Sequence, residues 1–163
     1  MPFRGPLFEV LERDGLGRIG VLETPHGRVT TPALLPVVNV NRPIIPPDEL
    51  RVRFRAEILI TNAYILGKGP VRESVLRQGI HSFLGFPGAV MTDSGAFQAH
   101  VYGGVDVTNP EVIDFQQKIG SDLGTMLDVF SEPGHDFARA SADVDETIRR
   151  AREADGLRGP MAL

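Results

Sequence analysis

The densest set of reactive groups in the chain is the run Thr92-Asp93-Ser94-Gly95-Ala96-Phe97-Gln98. Asp93 can take or hold a proton, and Ser94 can donate a hydrogen bond. Gly95 lets a ligand approach the backbone closely, and Phe97 offers a flat face to a flat molecule. The run follows Ala89-Val90-Met91, an apolar stretch that reads as a buried strand. In α/β barrels and open α/β sheets, ligands sit at the carboxyl ends of strands. A second carboxylate, Asp128, follows the apolar run Leu123-Gly124-Thr125-Met126-Leu127. Carboxylates at neighbouring strand ends can divide acid and base work when their environments differ. They can also read a purine. The N1 and exocyclic amine of guanine are adjacent donors, and one carboxylate accepts from both. Plainer uses stay open on sequence grounds: Asp93 as a cap for strand-end amides, and Asp128 as a cap for the loop of residues 129–133.

Other chemistry-bearing residues point less clearly. His26, His81, His100 and His135 lie far apart with no ligand spacing, so no metal site is expected from them. Tyr102-Gly103-Gly104 reads as a loop beside the main motif. Arg149, Arg150 and Arg152 suit phosphate, but such a run more commonly forms a solvated helix face. Asp14-Gly15-Leu16-Gly17 has no helix after it and is no dinucleotide fingerprint. The net charge of -4 and pI near 5.5 give no global basic field to attract nucleic acid. Cysteine is absent, which excludes disulfides, thiolate metal sites and a cysteine nucleophile from this chain. No apolar run has the length of a membrane span and no signal-peptide pattern opens the chain, so a cytoplasmic protein is expected.

The elements that must position these residues follow from pattern. Residues 8–11 and 18–22 read as strands around the turn at residues 13–17, and Thr24-Pro25-His26-Gly27 makes another turn. Residues 1–32 are therefore expected to form an antiparallel β meander, followed by a buried strand over residues 33–38. Helices are expected from Pro46-Pro47 onward, from Gly69 to Gly79, from Thr108-Asn109-Pro110-Glu111 to Gly120, and from Ser141 to about Asp155. Val144, Ile148 and Ala151 are expected to be the packed stripe of the last helix. Ile58-Leu59-Ile60, residues 89–91 and residues 123–127 read as short buried strands between helices. That alternation implies an α/β fold with parallel strands, whose ends at Asn39, Asn62, Asp93 and Asp128 collect polar groups on one face.

These motifs, in this order, resemble the tRNA-guanine transglycosylase family, most closely its archaeal branch, the archaeosine tRNA-ribosyltransferases. The segments that carry the resemblance begin with Gly17-Arg18-Ile19-Gly20, Glu23-Thr24-Pro25-His26-Gly27, residues 31–38 and Ile60-Thr61-Asn62-Ala63-Tyr64. The central one is Met91-Thr92-Asp93-Ser94-Gly95-Ala96-Phe97-Gln98, followed by Val101-Tyr102-Gly103, Phe115-Gln116 and residues 122–128. The resemblance implies a TIM (β/α)8 barrel, here an incomplete one with about four βα units over 33–163 after the meander of 1–32. Residues 1–163 would then be the N-terminal part of the catalytic domain.

The implied activity is a pentosyl transfer. A D-loop guanine of tRNA is exchanged for 7-cyano-7-deazaguanine, through a covalent enzyme–ribose intermediate, on the way to archaeosine. By motif, Asp93 carries over as the first catalytic aspartate, a general acid/base. Ser94 and Phe97 carry over as base-pocket residues, with Phe97 stacking, and Asp128 as the residue that grips the guanine edge. The family pattern continues with a Val-Gln-Gly segment, a second aspartate assigned as nucleophile, a Cys-rich zinc site and, in many archaeal members, RNA-binding domains. None of these is matched before Leu163. Hence the expectation is the N-terminal half of a larger enzyme, with little activity alone and no cofactor in this chain, zinc belonging to the full-length family. The implied partners are tRNA, the 7-deazaguanine base, and a missing C-terminal half or partner subunit, with a homodimer when complete. Two other readings stand beside it: a non-catalytic tRNA- or base-binding subunit, and an unrelated barrel lyase or hydrolase using Asp93 and Asp128.

Overall fold

Two-residue turns close both hairpins of the amino-terminal sheet. In the computed structural model, which describes residues 8–101 and 107–163, β1 (Phe8–Asp14), β2 (Gly17–Thr24) and β3 (Gly27–Thr31) form an antiparallel sheet in that order. Asp14 pairs with Gly17 and Thr24 with Gly27. The Thr24 hydroxyl donates to the Gly27 carbonyl at 2.9 Å and accepts from the His26 amide at 3.2 Å. Those bonds fix the second turn and hold His26 at its tip.

A parallel sheet follows, built from β4 (Ile58–Asn62), β5 (Ala89–Asp93) and β6 (Leu123–Gly124), in the order β4-β5-β6. Ile58 pairs with Ala89, Asn62 with Asp93, and Thr92 with Gly124. Single parallel bridges extend it at Val37 beside β4 and at Ala162 beside β6. Successive residues of a strand face opposite sides. Leu59 and Val90 point into a core with Leu50, Leu66, Val75, Ile80, Phe86 and Ile119. That core is covered by α1 (Pro47–Val52), α2 (Ala63–Leu66), α3 (Gly69–Gln78), α4 (Ile80–Leu84) and α6 (Asn109–Lys118). Ile58, Ala89 and Met91 point the other way and pack on Val29 and Leu22 of the meander. The β4–α3–β5 and β5–α6–β6 connections are thus helical crossovers between parallel strands, as an alternating pattern requires.

Helix boundaries follow the local signals. Gly79 ends α3 with a φ of 77°, a conformation that disfavours any side chain. At α6, Glu111 reaches back to the Thr108 amide and hydroxyl, both at 2.7 Å, with Pro110 in the first turn. Those bonds hold the Glu111 carboxyl below its usual range, the backbone one contributing most.

Four expectations need correction. The segment 33–38 is a single bridge rather than a strand, and Leu34 and Val37 are exposed. Pro32 and Pro36 lack amide hydrogens, which limits what the segment can donate to a ladder. The strand expected at 123–127 stops after Gly124, because the side-chain amide of Gln116 takes over at Thr125. The last helix, α7 (Phe137–Leu157), starts four residues early: the Asp136 carboxylate accepts from the Arg139 amide at 2.8 Å. Its buried residues are Asp143 and Ala154, whereas Val144, Ile148 and Ala151 are exposed. The short helices α2, α4 and α5 (Ala96–Val101) were not expected. The loop at Tyr102–Gly104 lies outside the described residues. No helix among the described residues is long and apolar enough to cross a membrane.

Candidate active site

Asp93 is the last residue of β5, and its neighbour across the sheet is Asn62, the last residue of β4. Both follow the alternation to the face that packs on the meander. The Asn62 amide nitrogen donates to Asp93 Oδ2 at 2.8 Å and to Gln98 Oε1 at 2.9 Å. Its oxygen caps α2 by accepting from the Ile65 amide at 3.1 Å. All these bonds fix one rotamer of Asn62, and Asn62 in turn fixes Asp93. No described residue donates a hydrogen bond to the other Asp93 oxygen, and the carboxylate is only half-buried. An oriented carboxylate with one unused oxygen can accept or deliver a proton.

Ser94 is 2% exposed, and its amide donates to Thr125 Oγ1 at 2.7 Å. This ties the Asp93 turn to the strand end that leads to Asp128. Gly95, with a φ of +81°, allows the turn itself: a Cβ there would sit 2.3 Å from Tyr64 Cβ. Phe97, on α5, is 61% exposed and lies 5.9 Å from Phe130 between ring centroids, tilted by 43°. A partly open aromatic pair at a carboxyl strand end is a face on which a flat base can stack.

Asp128 lies beyond β6 at the same end of the parallel sheet, and its side chain is exposed. Its backbone neighbours are held from both sides. The Leu127 amide donates to Asn109 Oδ1 at 3.0 Å, and Arg150 donates to the Leu127 carbonyl at 3.3 Å. Thr147 Oγ1 accepts from the Val129 amide at 2.9 Å and donates to the Val129 carbonyl at 3.1 Å or the Asp143 carbonyl at 2.9 Å. Asp128 makes no hydrogen bond to the loop of residues 129–133 among the described residues, so the loop-cap alternative is not what holds that loop. Thr147 and Asp143 do that work, the latter accepting from Ser131 at 2.9 Å.

Behind this face lies a buried polar network that the sequence reading missed. Thr92 Oγ1 is 2.7 Å from Gln116 Oε1 and 2.9 Å from Ser121 Oγ. Gln116 accepts from the Thr125 amide at 3.1 Å and donates to the Thr125 carbonyl at 2.9 Å, as a neighbouring strand would. The available signal was Gln116 itself, a polar residue at helical spacing from Val112, Ile113 and Ile119. The reading of four separated histidines also needs amending, because His26 and His81 meet at Asp122. Arg149 and Arg150 both bind Glu146 on their own helix. A cavity of about 450 Å³ lies between α2, α3 and α6 and includes neither Asp93 nor Asp128.

Fold and site together define an α/β protein with a carboxylate and an aromatic pair at the carboxyl ends of parallel strands. Residues 14–158 match the family model described as queuine tRNA-ribosyltransferase, so the chain belongs to that family of tRNA-guanine transglycosylases. It is 50% identical over 149 residues to the tRNA-guanine(15) transglycosylase of Methanosarcina barkeri, covering 91% of this chain and 30% of that protein. The protein of the same name from Methanopyrus kandleri is 50% identical over 159 residues, 96% of this chain and 34% of that protein. That from Thermoplasma acidophilum is 46% identical over 155 residues, 94% of this chain and 24% of that protein. The chain therefore spans about a third or less of the length of these curated relatives.

Proposed function

We propose that this chain is part of a base-exchange machinery that replaces a guanine of tRNA with 7-cyano-7-deazaguanine. The observation that carries the reading is Asp93, oriented by Asn62 with one oxygen unused among the described residues, beside the exposed Phe97 at the carboxyl end of β5. Family membership and the relatives' name, tRNA-guanine(15) transglycosylase, supply the substrate class. Asp93 acts as general acid/base, moving a proton between its unused oxygen and the departing or arriving base. Phe97 stacks on the base, and Ser94 shapes the floor of its pocket. Asp128 accepts from the N1 and exocyclic amine of the guanine edge. The parallel sheet, flanked at Val37 and Ala162, is read as the opening section of a (β/α)8 barrel. Since the relatives are about three or more times longer, turnover is assigned to this chain together with the rest of such a barrel.

Base binding gives the direct test. Truncating a charged hydrogen-bond partner that a bound base would cover costs about 2–5 kcal/mol, and losing a base–aromatic stack about 1–3 kcal/mol. Calorimetry with 7-cyano-7-deazaguanine should therefore show Asp128→Ala weakening affinity more than Phe97→Ala. Asp128→Asn should also bind poorly, because its amide would face a donor. Wild-type affinity in the Asn variant removes Asp128 from base recognition. Radiolabelled guanine exchange into tRNA, with the remainder of a relative supplied in trans, separates catalysis from binding. Exchange that survives Asp93→Ala would leave a base-binding subunit as the reading.

A further inference from the structure

His26, His81 and Asp122 come from three separate parts of the chain. His26 is at the tip of the β2–β3 turn, His81 is in α4, and Asp122 directly precedes β6. Their ligand atoms, one from each, all lie within 4.8 Å of one another. Asp122 Oδ1 is 2.8 Å from His26 Nδ1, and Oδ2 is 3.2 Å from His81 Nε2. The imidazole rings stack with centroids 3.4 Å apart and planes 22° apart. Two fully charged imidazoliums resist such a contact.

The protons can be followed around the cluster. His81 Nδ1 lies 3.4 Å from the Phe86 carbonyl, which can only accept, so that contact places a proton on Nδ1. The neutral ring then has a bare lone pair on Nε2. That nitrogen is buried and makes no hydrogen bond, although Asp122 Oδ2 is only 3.2 Å away. Oδ2 already accepts from the Val90 amide at 2.8 Å. Two acceptors thus face each other, and a proton added to Nε2 would not point along a hydrogen bond to the carboxylate. A cation offset from the nitrogen–oxygen line satisfies both.

We propose that His26, His81 and Asp122 form a binding site for a divalent transition metal of the zinc class. Two imidazoles and a carboxylate, with a water in the fourth position, make a donor set that suits zinc rather than magnesium or calcium. Ligand atoms bound at about 2.0–2.1 Å in a tetrahedral set lie about 3.4 Å apart, so a pair at the 4.8 Å limit closes by roughly 1.4 Å, shared between two side chains. The outer contacts have the form that metal-bound histidines and carboxylates take. The Phe86 carbonyl holds the far nitrogen of His81, and the Val90 amide holds Asp122. The side chain of His26 is 41% exposed, which opens the site to solvent. The site lies at the amino end of the strands, opposite Asp93. Its role is to staple the meander to the parallel sheet rather than to take part in base exchange, and it does not rest on that reading.

The test uses the full chain, stripped with a chelator and titrated with zinc chloride alone. Calorimetry should find one ion per chain, with a rise in melting temperature that the chelator reverses. Cobalt substitution should give the visible absorption of a four-coordinate site. His26→Ala removes a half-exposed ligand and should melt like the wild type in chelator. It should lose affinity for zinc by at least about tenfold, the lower end of what even outer partners of metal ligands cost, and should lose the cobalt spectrum. His135→Ala, a histidine elsewhere on the chain, should retain both. A wild type indifferent to zinc in calorimetry and melting overturns the site, as does equal affinity in the His26 and His135 variants.

Discussion

At the scale of single residues, the Asp93 turn depends on one position that admits no side chain. Gly95 combines a φ of +81° with Tyr64 Cβ 2.3 Å and Asn62 Oδ1 2.8 Å from where its own Cβ would lie. Asn62 is the residue that orients Asp93, so the clash falls on the catalytic candidate's only described hydrogen-bond partner. Gly95→Ala should cost at least about 1–3 kcal/mol of stability, the usual scale for a residue forced into a sparsely populated backbone region. Urea denaturation followed by circular dichroism measures it. Unchanged stability would show that the turn relaxes freely and that its shape does not depend on glycine. Asp93, Ser94 and Phe97 stood out in the sequence because carboxylate, hydroxyl and ring are adjacent in the chain. Asn62 was visible only as a polar strand end, since its bond to Asp93 spans 31 residues and exists only once two strands pair in register. The meeting of His26 and Asp122, 96 residues apart, was illegible for the same reason.

At the scale of elements, legibility depended on whether an element answers to its own residues or to a neighbour. Helix α6 carries its start signal in Thr108, Pro110 and Glu111, and it forms where the pattern places it. Helix α7 was misoriented because its buried face is not its apolar one. The irregular segment 127–131 has peptide groups that need partners, and Thr147 and Arg150 supply them, while Asp143 accepts from the Ser131 hydroxyl. Hydrogen bonds to that segment thus decided which side of α7 packs. Gln116 makes the same point at the end of β6, where its amide substitutes for a strand. Gln116→Leu keeps the volume but leaves Thr125 N–H and C=O without their partner. Each buried group so orphaned costs about 1–3 kcal/mol, so a loss of at least about 2 kcal/mol is expected in denaturant unfolding. A smaller loss would mean that water reaches Thr125. A second element-scale prediction concerns pH. Hydrogen bonds from Arg149 and then Arg150 lower the Glu146 carboxyl from 4.5 to about 2. A depressed folded value means a contribution that is present above 4.5 and is lost as pH falls toward 2. The Glu146 side chain is partly open to solvent, so salt screens the effect. Carboxyl-carbon NMR should find a midpoint near 2 that rises in Arg149→Ala, and an ordinary midpoint in the wild type would remove the network from α7 stability.

At the scale of the whole molecule, the two sheets are finished to different degrees. The meander packs one face on Ile58, Ala89 and Met91 and ends in tight turns. Among the described residues, the parallel sheet has one bridged residue beyond each outer strand: Ala162 takes the outward bonds of the two-residue β6, whereas beside β4 only Ile60 is bridged, by the segment at Val37. Unpaired parallel edges are templates for further pairing. Elsewhere, α7 presents Phe137, Val144 and Ile148 to solvent at 88%, 55% and 42% exposure. Those three lie at spacings of seven and four residues, which puts them on one side of the helix. Such an apolar stripe lowers the cost of association, since contact removes apolar surface from water, and the unbridged part of the β4 edge offers peptide groups for pairing. The 163-residue chain alone should therefore self-associate at roughly 10–100 μM, the range in which exposed edges and apolar surface drive assembly. Sedimentation velocity across that range should show a concentration-dependent rise in mass. Val144→Glu combined with Ile148→Glu should suppress it while leaving the circular dichroism spectrum unchanged, because neither side chain is buried. A wild-type chain that sediments as a monomer throughout would show that the stripe and the edges are each too small to hold a partner.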